Sequence, residues 1–95
     1  METKKKIDDG VILVGNKYLR AYADAVEIQF EKGSKEVILR TRGKNTSRAI
    51  DTAEFLRRRN RAEIKEIKTG SESFKDKESD REIFVSTVDI TLTQK

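Results

Sequence analysis

The sequence predicts a two-layer α/β fold, with two helices on one face of a mixed four-stranded sheet. Three observations predict it. Residues 11–14 form a short apolar run that Gly15-Asn16 breaks. Two later stretches carry apolar residues at three- and four-residue spacing, and each follows a strand-like run. Near the C-terminus, apolar residues alternate at period two. The implied order is strand, helix, strand, helix, strand, strand.

The run Val11-Ile12-Leu13-Val14 is short and continuous, which predicts a strand buried on both faces. A helix is expected over residues 17–32, where Leu19, Tyr22, Ala23, Val26 and Phe30 make one apolar stripe. Gly33 then falls where such a helix needs a left-handed C-terminal residue. Residues 36–41 read as the second strand, and Arg42-Gly43-Lys44-Asn45 as the loop into a second helix over 46–60. Asn45, Thr46 and Ser47 offer side chains suited to capping that helix. Its expected buried stripe is Ala49, Ile50, Ala53 and Leu56, with Phe55 off the stripe and available to an interface. Residues 63–69 make a third strand, although Ile64 and Ile67 fit period two poorly. Residues 70–80 are polar and charged and read as a flexible hairpin tip. Phe84, Ser86, Val88, Ile90 and Leu92 then alternate with Ile83, Val85, Thr87, Asp89 and Thr91 in the closing strand.

A chain of 95 residues is one domain by size. Residues 1–9 read as a flexible charged leader and 10–95 as the folded unit. A unit this small buries a limited share of its surface, so pairing with a second copy would help it. Without cysteine there is no disulfide or thiolate metal site. Without histidine the commonest metal ligand and neutral-pH base are missing, so neither metal nor cofactor is expected. Thr46 and Ser47 have no base to activate them, and no acidic pair suits acid–base work, which argues against an enzyme. The leader lacks an apolar signal core, and no run approaches the roughly 20 residues of a membrane span. A cytoplasmic protein is expected. Abundant Lys, Glu and Arg with three Asn, two Gln and no Cys fit a thermophile-like surface.

The net charge of +4 is unevenly spread. Between Arg40 and Arg61 stand eight basic residues and two acidic ones, while the remaining 73 residues are net acidic. Clustered guanidinium groups match phosphate geometry, although a solvated helix face is the common fate of a charge run. Gly15-Asn16-Lys17 and Arg42-Gly43-Lys44 each place glycine and lysine just before a helix, where free N–H groups favour anions. Ordinary turn chemistry would account for either turn alone. A nucleoside-triphosphate loop is excluded: Asn45 stands where Ser or Thr must follow the lysine, and Ile38 where the first glycine must be. In the hairpin tip Lys75, Lys77 and Arg81 alternate with acids, as in a groove-reaching arm or a mobile soluble loop.

Four segments in order and register resemble the Alba family of archaeal chromatin proteins. They are Val14-Gly15-Asn16-Lys17, Ile38-Leu39-Arg40-Thr41-Arg42-Gly43-Lys44, Ser47-Arg48-Ala49-Ile50-Asp51-Thr52-Ala53-Glu54 and Val85-Ser86-Thr87-Val88-Asp89-Ile90. The resemblance spans about residues 10–93. It implies a fold like the C-terminal domain of translation initiation factor three, and a homodimer that binds double-stranded DNA, and often RNA, with little sequence preference. It places phosphate contacts on Lys17, Arg42, Lys44 and Arg48, with Asn16, Arg40 and the arm's Arg81 as further candidates. It also implies chromosome packaging and further assembly on DNA. Phe55 and Arg59 are the dimer-interface candidates, and Lys17 is the candidate for a charge-removing modification. Two departures stand out. Asn16 replaces a lysine common in the family, and Arg58-Arg59-Asn60-Arg61 lacks the aromatic residue that often joins neighbouring dimers. The alternatives are an RNA-binding subunit of an RNA-processing complex and a scaffold whose basic face meets an acidic protein.

Overall fold

A computed structural model describes residues 10–95; the expected leader, residues 1–9, lies outside them. The elements are β1 (Val11–Leu13), α1 (Leu19–Glu31), β2 (Glu36–Arg42), α2 (Thr46–Arg58), β3 (Ala62–Lys75) and β4 (Glu82–Gln94), with a 3-10 turn at Gly43–Asn45. The sheet order is β1-β2-β4-β3. β1 runs parallel to β2, while β4 is antiparallel to both β2 and β3. The mixed four-stranded sheet is therefore as the sequence predicts.

Both helices pack on one face. Tyr22, Ala23, Val26 and Phe30 of α1, and Ala49, Ala53 and Leu56 of α2, meet Val37, Leu39, Ile90 and Leu92 of the central strands. Leu39 pairs with Ile90 and Val37 with Leu92, so each pair points at the helices together. Gly33, at φ 105°, ends α1: its N–H bonds to the Phe30 carbonyl and that of Ser34 to the Gln29 carbonyl. Asn60, at φ 59°, ends α2 in the same way, with Arg61 N–H reaching the Leu56 carbonyl.

Several local expectations are corrected. β1 is an edge strand, and Leu13 is 70% exposed, because among the described residues no strand or helix covers it on that side. Leu19 is only half-buried at the start of α1. Ile50 is 44% exposed, and Thr52 takes the buried place, its hydroxyl satisfied by donating to the Arg48 carbonyl. No side chain caps α2: Thr46 Oγ1 donates to the Gly43 carbonyl instead, closing the 3-10 turn. The hairpin strands are also far longer than expected. Cross-strand bonding carries β3 to Lys75 and β4 back to Glu82, so the polar stretch is ladder and the turn is only residues 76–81. The irregular spacing of Ile64 and Ile67 has a simple cause. A bulge between Ile64 and Glu66 inserts Lys65, which lets both isoleucines face the helix side, opposite Leu92 and Ile90.

Candidate functional site

Because β1 and β2 are parallel neighbours, their C-terminal ends lie on one edge of the sheet. The Gly15-Asn16-Lys17 turn and the Gly43–Asn45 turn therefore open side by side, each feeding a helix N-terminus. The first turn is fixed from below. Tyr22 is buried, and its Oη accepts from the N–H groups of Gly15 at 2.8 Å and Lys17 at 3.0 Å. Asn16 and Lys17 stand exposed above it. In the second turn Gly43 takes φ 71°, which a side chain would resist, and Lys44 projects into solvent.

Arg48 sits in the first turn of α2 and is half-buried. Its Nε is shielded from solvent and finds no hydrogen-bond partner among the described residues. Arg42 ends β2 and forms a 3.0 Å ion pair with Glu72 of β3, with both groups more than half exposed. Arg40 lies on the helix-free face, and Asp89 accepts from its Nε and an Nη, both at 3.0 Å. That hydrogen-bonded pair, then the charge attraction within it, raises the Arg40 pKa further above its ordinary value. Arg40 is thus committed within the chain, whereas Lys17, Lys44 and Arg48 have no internal ion pair among the described residues.

The fold splits the basic segment in two. Arg42, Lys44 and Arg48 lie at the turn edge. α2 then carries the chain along the sheet by roughly 1.5 Å per residue, so Arg57, Arg58, Arg59 and Arg61 end near the opposite edge, where Ala62 pairs with Gln94. Those arginines suit a helix C-terminus, and three of the four have local partners. Arg57 bonds to Glu54, Arg61 lies 3.9 Å from Glu27, and Arg59 stacks 4.5 Å from the centre of the Phe55 ring. Arg20 of α1 covers the other approach to that ring at 5.5 Å. Phe55 is consequently half-buried between two guanidinium groups, packed against the core.

Beyond the turn edge, β3 and β4 continue as a two-stranded arm. Arg42 pairs with Thr87 and Thr87 with Gly70, so residues past those points have no third strand beside them. Five further residues of β3 give a reach of roughly 17 Å at about 3.4 Å each. Arg81 is exposed at the end of this arm, its carbonyl accepting from Asp76 N–H in the turn, and Lys75 pairs with Asp80 at 3.6 Å. Sequence reasoning missed the apolar surface of this hairpin. Ile67 is 55% and Phe84 67% exposed. The alternation through Phe84 was legible, but the length of ladder beyond the helices was not.

Among the described residues no three His, Cys, Asp or Glu side chains cluster as metal ligands, and no helix is long and apolar enough to cross a membrane.

Comparison with known proteins agrees with this architecture. The Alba family profile matches residues 10–73. A DNA/RNA-binding protein Alba of Nanoarchaeum equitans is 38% identical over 87 residues, covering 88% of this chain and 97% of that protein. One of Methanocella arvoryzae is 40% identical, covering 90% of each. The solved structure of Alba from Thermoplasma volcanium superimposes with a TM-score of 0.76 at 34% identity, over 88% of this chain and 99% of that one. By profile, by sequence and by fold, the chain belongs to the Alba family.

Proposed function

We propose that this protein binds nucleic acid through the two basic turns, acting as a homodimer that coats double-stranded DNA, and RNA, with little sequence preference. The observation that carries this reading is the convergence of Lys17, Lys44, Arg42 and Arg48 on one sheet edge, above a backbone held rigid by Tyr22. Phosphates would sit over the turns, where lysine ammonium groups and exposed N–H groups at two helix starts favour anions. Asn16 adds a neutral donor there, and Arg48 gains on binding the partner its buried Nε lacks. Arg42 would exchange Glu72 for phosphate. Arg40, locked to Asp89, contributes charge rather than a direct bond. Arg81 would meet the backbone at the end of the arm. No catalytic step is assigned: the site binds. Relatives named DNA/RNA-binding protein Alba support the nucleic-acid binding, and chromosome packaging is the role we infer from it.

The second copy would cover the apolar surface beside α2. Ile50 and Ile67 are exposed, with half-buried Ile64 and Val88 between helix and arm. This patch is better placed to pair than Phe55 and Arg59, which already pack against each other.

A salt titration tests the reading. Counting the four turn contacts on each of two protomers, the logarithm of affinity for random duplex DNA should fall with the logarithm of salt at a slope of about −7, and more steeply if Arg81 also engages. The Arg42→Ala, Lys44→Ala double variant should flatten it to about −4 and weaken all sequences alike. Tight binding to structured RNA alone would transfer the role to RNA processing. Failure to bind either would leave a scaffold for an acidic protein.

A further inference from the structure

The Tyr18 side chain makes no hydrogen bond among the described residues and stands largely in solvent. The residue precedes α1 with extended backbone, φ −64° and ψ 145°, and its side chain is 85% exposed, more than any other large apolar residue described. The other aromatic side chains near α1 are accounted for. Tyr22 is buried and holds the turn, Phe30 is buried, and Phe55 lies between guanidinium groups. Among the described residues the fold uses the backbone of Tyr18, whose carbonyl accepts from Ala21 N–H to open the helix. The ring therefore stands in water beside Lys17, on the edge where Lys44 and Arg42 also emerge.

We propose that Tyr18 is a stacking platform for an unpaired nucleobase. The inference rests on the basic edge being a nucleic-acid surface, and it adds a substrate class to that surface. A tyrosine ring has only two side-chain torsions to order, and the backbone beneath it is already fixed on both sides, by the Tyr22 hydroxyl and by the first turn of α1. Stacking on it costs little entropy. In a continuous duplex each base face is covered by its neighbours, so the ring finds sugar and phosphate only. In a loop, bulge or single strand the π-face is open, and its phosphate can lie on Lys17 or Lys44 while the base meets the ring. Tyr18 thus shifts preference towards unpaired segments without reading their sequence.

The test uses the full chain with three probes: a mixed-sequence 20-nucleotide RNA strand, the DNA strand of the same sequence, and its 20-base-pair DNA duplex. Tyr18→Ala should lose about tenfold in affinity for both single strands and stay within about twofold on duplex, while Tyr18→Phe should match the parent on all three. The chain has no tryptophan and two tyrosines, one of them buried. Tyrosine emission should therefore fall on binding a single strand, and the fall should be absent in Tyr18→Phe. Equal loss on all three probes, loss on RNA alone, or no loss would each overturn the stacking role. If the parent protein bound none of the probes, the proposed function would fail with it. If it bound duplex with a steep salt slope while Tyr18→Ala held single strands normally, only the stacking role would fail.

Discussion

Tyr22 links the core to the candidate site through one atom. Its ring packs among Val14, Ala23 and the sheet, and its hydroxyl satisfies two turn N–H groups that the turn conformation leaves without backbone partners. Tyr22→Phe keeps the ring and leaves both donors without that acceptor. It should cost about 1–3 kcal/mol in denaturant unfolding and should also weaken duplex binding, because Asn16 and Lys17 lose their fixed placement. Unchanged stability would show that water replaces the hydroxyl at no cost. Lys17 itself is exposed and has no ion pair among the described residues, so removing its charge should leave folding intact. Lys17→Gln, which mimics acetylation, should lower the magnitude of the salt slope by about two per dimer without changing the unfolding midpoint. That outcome would support Lys17 as a charge switch.

At the scale of elements, the termini of α2 are built differently from what its sequence suggests. Three cap-forming side chains stand at its start, yet none caps it, and Thr46 instead donates its hydroxyl to the Gly43 carbonyl within the 3-10 turn. At its C-terminus Asn60 adopts a left-handed conformation that few residues other than glycine tolerate. Asn60→Gly should be neutral or stabilising, and Asn60→Val should destabilise by about 1–3 kcal/mol, measured by thermal unfolding. Within the same helix, the hydrogen bond from Arg57, and then its charge, holds the Glu54 carboxyl below the usual carboxylate range. A lowered folded-state value stabilises above the ordinary carboxylate pKa and is lost as pH falls through the lowered one. Glu54→Gln should therefore reduce stability slightly at neutral pH. The difference from the parent should vanish in acid; a difference that persists there would assign the effect to packing instead.

The molecule as a whole is elongated by its arm. The radius of gyration is 14.7 Å, against about 12 Å for a compact chain of this size, and the longest extent is 46 Å. An arm of two strands without a third is marginal alone, so its root against α2 matters most. The exposed Ile50 and Ile67 lie beside that root. The Ile50→Asp, Ile67→Asp double variant should convert a dimer to a monomer in analytical ultracentrifugation and roughly halve the salt slope of duplex binding. A variant that remained dimeric would place the interface elsewhere on the surface.

The sequence alone determined the order and type of the strands and α-helices, most of each helix's packing face, and the two glycine-lysine turns. Each of these depends on near neighbours in the chain: 3.6- and two-residue periods, or a glycine beside a helix start. The irregular spacing of Ile64 and Ile67 was legible too, but its cause was not, since a bulge is defined by the partner strand. Only tertiary structure decided that β1 lies at an edge, that Asp89 claims Arg40, and that the arginine-rich segment divides between opposite ends of the sheet. It alone left Tyr18 uncovered while burying Tyr22, four residues on. Periodicity shows which side chains share a face, but what covers a face, and which cation finds its counter-charge, depends on distant chain segments, as Arg40 and Asp89, 49 residues apart, show.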